Sequence, residues 1–272
     1  MTISPLEKLI RFQRPERALT YARSLTDATI AGLFGTDETT YRHTRDRLDA
    51  DRTRAAAELG ADPNVTERLA RVPFAHAQRL VAIGESTTAD RLSWFEILRT
   101  LLSPARPDLE LSFDNLAVSG ATTTQVLATV PGLRRSRPDW VFCMLGANDV
   151  QRFGSSTGPR LVSQAETLRN LDQLRALSHL PDTATWVWLT PTPVDETLVS
   201  AYPYFAGPGL VWTNRDIDDL RVTLTQQQDR HNIVIDTRAA FTGRDAYLDD
   251  GLHPSVTAQQ ALAAHVLAQL AA

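Results

Sequence analysis

From residue 79 onward the chain alternates short apolar runs with helical patterns, and no other feature restricts its fold so strongly. The runs cover residues 80–83, 109–118, 140–145, 186–189 and 233–235. Helix candidates lie between them at 91–102, 122–130, 161–180 and 214–230, with a last one at 254–270. In that last segment Val256, Leu262, Val266 and Leu270 follow a rough helical period. Short apolar strands separated by helices predict parallel βαβ units with right-handed crossovers and helices on both faces of the sheet. The expected class is therefore α/β.

Residues 1–75 read differently. Pro5 and Pro15 stand where helices start, because a missing N–H costs nothing there. Residues 40–60 are rich in Arg, Asp and Ala, with Tyr41, Leu48 and Leu59 as their only large apolar side chains. That composition predicts an exposed helix laced with ion pairs. Thr36 or Asp37 would cap its start, and Gly60 and Pro63 would end it. The division is then a helical extension over 1–75 and an α/β domain over 76–272. Apolar residues such as Leu6, Ile10 and Phe12 need cover. The extension should pack on the α/β body or on a second copy of the chain, and should supply no catalytic group.

Composition excludes several alternatives. The net charge of -4 divides into +1 over residues 1–75 and -5 over 76–272, which is no footprint for nucleic acid. A single cysteine, Cys143, permits no intramolecular disulfide and no cysteine-based zinc site. It lies mid-strand, where a buried inert thiol is expected. There is no H-E-x-x-H, no P-loop and no membrane-spanning apolar run. The remaining histidines, His43, His76, His179, His231 and His265, form no metal pattern and suit surface or capping positions. The N-terminus has scattered charges and no apolar stretch of a secretory signal, so the expected compartment is the cytoplasm. Of the 28 basic residues only Lys8 is lysine.

In an open parallel sheet, ligands bind beyond the carboxyl ends of the strands. Reactive residues follow four of the runs: Glu85-Ser86, Ser119-Gly120, Asn148-Asp149 and Asp250-x-x-His253. A serine hydroxyl needs a base, and the base needs an orienting group. His253 suits the base, Asp250 the orienting carboxylate and Ser86 the attacking oxygen. The backbone N–H groups of Ser86 and Gly120 and the side-chain amide of Asn148 are candidate donors to an oxyanion. Taken singly, each residue also fits a turn or a cap.

The four blocks together, 84–86, 115–120, 146–149 and 250–254, resemble those of the SGNH hydrolases, the GDSL esterase and lipase family. The resemblance covers the chain from about residue 79 to its end. It implies a flavodoxin-like three-layer sandwich with five parallel strands. It also implies hydrolysis of a small-molecule acyl ester or thioester without metal or cofactor, with Ser86, Gly120, Asn148 and His253 as the namesake residues. One position departs from the pattern: Glu85 stands where the family has aspartate.

An acyltransferase would use the same residues, with an alcohol in place of water. A binding protein that keeps the fold is the non-catalytic rival. A second serine motif, Gly154-Ser155-Ser156-Thr157-Gly158, fits G-x-S-x-G, but residues 149–153 read as no strand and Pro159 follows, so a flexible loop is expected. Arg152 and Arg160 flank it and read as solvated surface residues, or as partners for an anionic substrate. The stretch 190–212 reads as a long loop whose Tyr202, Tyr204 and Phe205 would line a substrate pocket or pack the loop down.

Overall fold

Five parallel strands form the centre of the molecule, described here by a computed structural model covering residues 3–19, 21–22, 24–226, 232–243 and 245–272. They are β1 (Arg79–Gly84), β2 (Ser112–Asn115), β3 (Trp140–Met144), β4 (Thr185–Leu189) and β5 (Asn232–Ile235). Their spatial order is β2-β1-β3-β4-β5, and all neighbours run parallel. Each of the five apolar runs thus overlaps a strand. The second is the most reduced: Pro107–Leu109 coils into a 3-10 turn and Glu110 takes a left-handed conformation, so the strand starts only at Ser112.

Six helices matter most to the site: α1 (Pro5–Phe12), α2 (Glu38–Gly60), α3 (Trp94–Ala105), α4 (Gln164–Ser178), α5 (Asn214–Gln226) and α6 (Val256–Leu270). Side chains of a strand alternate between faces, and the core divides accordingly. Leu80, Ala82, Phe142, Met144 and Val187 join one apolar cluster with α3 and α6. Val81, Ile83, Val141, Cys143 and Trp186 join the other with α4 and α5. The result is a three-layer α/β sandwich. Residues 227–231, including His231 and the end of the fourth helix candidate, lie outside the described residues.

The candidate over 122–130 is broken rather than continuous. Thr122 caps a single turn, Thr123–Val126, through a reciprocal capping box with Gln125. A 3-10 turn follows, and a new helix, Val130–Ser136, starts with Pro131 in its first turn.

The extension is helical and lies against the sheet domain. Pro5 and Pro15 both open helices, and Asp37 caps α2 by accepting from the Thr40 N–H at 2.8 Å. The α2 helix is not simply exposed, contrary to its composition. Tyr41, Leu48, Ala55 and Ala56 are buried along one stripe, two of them in the same cluster as the central sheet. Their spacing of seven residues keeps them on one face, and two alanines allow close approach. The ion pairs expected of the helix occupy its other faces, as Arg42–Glu38 and Arg52–Asp49 do.

Helix α1 is held more tightly still. The Arg11 guanidinium donates to both oxygens of Asp90, at 2.8 and 2.7 Å, with both side chains buried. It also reaches the Pro254 carbonyl at 3.2 Å. Arg91 returns the contact, donating from Nε to the Ile10 carbonyl at 2.8 Å and from its backbone N–H to the Arg11 carbonyl at 3.1 Å. Among the described residues no helix is long and apolar enough to cross a membrane.

Removing one member of a buried ion pair strands the other charge. Arg11→Met should therefore lower the unfolding free energy by about 3–5 kcal/mol. Urea denaturation of the variant checks this, and a midpoint unchanged from that of the parent chain would show that α1 is only loosely attached.

Candidate active site

The strand order reverses between β1 and β3, because β2 follows β1 to one side and β3 lies on the other. A crevice forms beyond the carboxyl ends at such a point. Ser86 leaves β1 there, and Asn148 leaves β3. The turn after β1 is tight. A Cβ on Gly84 would lie 2.8 Å from the Thr88 Cβ and 2.9 Å from the Met144 carbonyl, so only glycine fits. Ser86 then opens the single helical turn Ser86–Ala89 and is 8% exposed. As the first residue of that turn, it has an N–H with no intrahelical acceptor.

Asp250 and His253 are joined as the spacing suggested. Asp250 Oδ1 accepts the backbone N–H groups of Leu252 and His253 at 3.0 and 2.9 Å. Its Oδ2 lies 2.9 Å from His253 Nδ1. Gly251 makes this fold-back possible: its φ is +68°, and a Cβ would stand 2.5 Å from the Asp195 carbonyl. The loop is bound to the serine turn through α6. There Gln259 donates to the Thr87 carbonyl at 3.0 Å and accepts from the Trp94 N–H at 2.8 Å. Among the described residues no hydrogen bond joins Ser86 Oγ directly to His253.

The extension, docked on the sheet domain, reaches this centre. Lys8 Nζ donates to Asp250 Oδ2 at 2.9 Å and to the Tyr202 hydroxyl at 2.9 Å. It also forms an ion pair with Asp249 Oδ1 at 2.7 Å. Phe12 packs on the His253 ring, with centroids 4.3 Å apart. Burial works against the charge of Asp250, but the His253 and Lys8 contacts outweigh it and hold the carboxyl well below its usual range. Burial likewise opposes the Lys8 charge, and the bonds to Asp249, Tyr202 and Asp250 raise its pKa above the ordinary lysine value. One sequence signal did point at Lys8: it is the single lysine in a chain that otherwise uses arginine.

Asn148 and Gly120 differ in readiness. Gly120 is exposed with φ +78°, and among the described residues its N–H meets no acceptor. Asn148 Nδ2 donates to Glu85 Oε2 at 2.9 Å and to the Ala121 carbonyl at 3.0 Å, so both its hydrogens are already engaged. Glu85 also accepts the N–H groups of Ala147 and Asn148, at 3.0 and 3.2 Å. The carboxylate that departs from the family pattern thus ties the serine turn to the asparagine turn. Next to it, Asp149 accepts from the Thr123 N–H at 3.0 Å and from the hydroxyls of Thr123 and Thr167.

A cavity of about 350 Å³ adjoins Gly120, lined among others by Arg17, Val118, Ala121, Gln125 and Val126. Arg17 comes from the extension and was not singled out by the sequence. Tyr202, Tyr204 and Phe205 are absent from that lining. The stretch 190–212 is not a plain loop, since it folds into the short helices Glu196–Ala201 and Pro203–Ala206. Tyr202 accepts from Lys8, Phe205 packs on Trp212 at 4.9 Å between centroids, and Tyr204 is 68% exposed.

The second serine motif follows no strand of the central sheet and, among the described residues, leads into no helix directly. Arg152–Phe153 is nevertheless a strand, pairing antiparallel with Leu210–Val211 in a two-stranded ribbon. Ladder bonds use backbone groups alone, so even this two-residue segment finds partners. Arg152 and Arg160 are not solvated: both bind Asp216, which their hydrogen bonds hold down to about 2 in spite of its burial. Cys143 is buried, and burial together with nearby Glu85 raises its thiol pKa. His179 forms a left-handed helix cap, and His265 bonds the Asp236 carbonyl at 2.9 Å.

Burial and the neighbouring Asp149 push the Glu85 carboxyl up to about 8, against the three N–H donors that favour its charge. A carboxyl whose pKa is higher folded than unfolded takes up a proton on folding. Its contribution to stability is complete below the unfolded value of 4.5 and is lost as pH rises through about 8. Glu85→Gln should remove this contribution, leaving a shallower decline in unfolding free energy between about pH 5 and 8. Urea titrations at several pH values check the slope, and equal slopes in the two proteins would refute the assignment.

Residues 82–261 match the model of the GDSL-like lipase/acylhydrolase family. No curated protein matches the sequence. Among solved structures, an acetylxylan esterase from Geobacillus stearothermophilus is similar, with 22% identity and a TM-score of 0.58 over 72% of this chain and 95% of that one. Two structures of that esterase are of catalytic mutants, one at an aspartate and one at a histidine three residues later. An alpha/beta hydrolase from the metagenome of Lake Arreo, Spain, is similar at 23% identity and a TM-score of 0.55, over 72% and 96% of the two chains. These likenesses concern the fold; the family match covers most of the sheet domain and all four blocks. The chain belongs to the GDSL-like lipase/acylhydrolase family.

Proposed function

We propose that this chain is a serine esterase that cleaves a small-molecule carboxylic ester or thioester through an acyl-enzyme on Ser86. The observation that carries this reading is the 2.9 Å bond between Asp250 and His253 Nδ1, formed at the same sheet edge that presents Ser86. With Nδ1 held by the carboxylate, Nε2 of the neutral ring is the free base. It takes the Ser86 proton as Oγ attacks the carbonyl, then returns that proton to the leaving alcohol or thiol. Water, activated by the same nitrogen, releases the acyl group from Ser86.

The charge that develops on the carbonyl oxygen needs donors already in place. The N–H groups of Ser86 and Gly120 serve directly. Asn148 serves by drawing one Nδ2 hydrogen away from the Ala121 carbonyl while Glu85 holds the other. The cavity beside Gly120 then receives the acyl or the alcohol part of the substrate. The Geobacillus esterase supports this assignment, because its catalytic aspartate and histidine have the same spacing as Asp250 and His253.

Ser86→Ala should abolish ester hydrolysis and labelling by a fluorophosphonate while leaving the melting curve unchanged; a label mapped to Ser156 would overturn the reading. Asn148→Ala should lower kcat by about 10²-fold, the lower end for one oxyanion donor, because its hydrogen must be taken from an existing bond. A rise in KM alone would show that Asn148 only binds substrate.

A further inference from the structure

We propose that Lys8 is a positioning residue of the active centre, delivered by the N-terminal helix to set the basicity of His253 through Asp250. The inference rests on the catalytic reading of Asp250 and His253. Three observations carry it. The Lys8 ammonium and His253 Nδ1 share one acceptor, Asp250 Oδ2, each at 2.9 Å. Asp250 is 1% exposed, so water does not screen that triangle freely. The helix bearing Lys8 is fixed on both sides of the centre. Its Arg11 binds Asp90, four residues after Ser86, and the carbonyl of Pro254, next to His253. One turn after Lys8, Phe12 covers the imidazole face.

The sign of the effect follows from the charges. Among the described residues His253 bonds Asp250 from its own loop and packs on Phe12 from α1, while Lys8 of the same helix joins it through Asp250. Asp249 pairs with Lys8, and Arg11 is neutralised by Asp90. A cation that shares Asp250 Oδ2 draws on the same oxygen that would stabilise an imidazolium, so its presence works against that charge. The neutral ring needed for proton abstraction then persists to lower pH. Lys8 also suits the position sterically. Its compact ammonium meets Asp249, Asp250 and the Tyr202 hydroxyl at once, which a planar guanidinium fork does not match as well. It sits 4.2 Å from the centroid of the Tyr202 ring, a further contact that favours the charged form.

The rate of phosphonylation of Ser86 by a fluorophosphonate, followed by intact mass from about pH 5 to 9, reads this basicity without a known substrate. In the parent chain the rate constant should rise with pH through one ionisation. Lys8→Met should move that limb upward by about half to one pH unit. Lys8→Arg, which keeps the charge, should return it most of the way. Lys8→Gln keeps a hydrogen-bond donor without the charge; it should shift the limb as the Met variant does, and it decides the matter if that variant fails to fold. A limb unmoved in the neutral variants would overturn the role of Lys8, as would a shift of equal size in Lys8→Arg. A parent chain that is not phosphonylated at Ser86, or shows no limb, would instead contradict the catalytic reading itself.

Discussion

Burying a carboxylate is costly unless donors surround it, and Asp250 is surrounded from both ends of the chain. Two backbone N–H groups and the imidazole come from its own turn, and an ammonium comes from residue 8. That one group couples the geometry of the Asp250–His253 loop to the docking of the first helix. Gly251 gives the loop the conformation in which Asp250 meets His253. Arg11 and Arg91 fix the helix that brings Lys8 to it. The extension is thereby part of the centre's architecture, although residues 82–261 alone match the family model.

The same sheet edge holds three further buried carboxylates, each compensated by different chemistry. Asp90 has a guanidinium, and Asp149 has a backbone N–H with two threonine hydroxyls. Glu85 has only amide N–H donors and feels the negative charge of Asp149. Neutral amides compensate a buried charge less than a cation does, and burial with nearby Asp149 raises the Glu85 carboxyl to about 8. Its longer side chain spans the gap between the serine and asparagine turns and orients the Asn148 amide. The cost is that both hydrogens of that amide are occupied at rest.

How far the sequence revealed this depends on the range of each interaction. The strands were legible because a parallel strand buried on both faces must be apolar along its length, as Trp140–Met144 is. The residues at the strand ends were legible because chemistry clusters there in open sheets. Asp250 and His253 are three residues apart, so their bond is a local matter. Lys8 and Asp250 are separated by 242 positions, and no periodicity or turn rule relates them. Nor does composition tell an exposed charged helix from α2, whose buried stripe needs only Tyr41, Leu48 and two alanines. The ribbon of Arg152–Phe153 escaped for a related reason, since two residues are too short a run to carry a strand signal until Leu210–Val211 arrives beside them.

The central claim is that Ser86, the Asp250–His253 pair and the glycine and asparagine turns converge on one reacting carbonyl. A crystal structure of the phosphonylated chain tests it most directly. The account predicts phosphorus bonded to Ser86 Oγ and the phosphoryl oxygen within hydrogen-bond distance of the Gly120 N–H and Asn148 Nδ2. It also predicts that His253 Nδ1 and Lys8 Nζ both remain on Asp250. Phosphorus on any other side chain, or a phosphoryl oxygen turned to solvent away from Gly120 and Asn148, would contradict it.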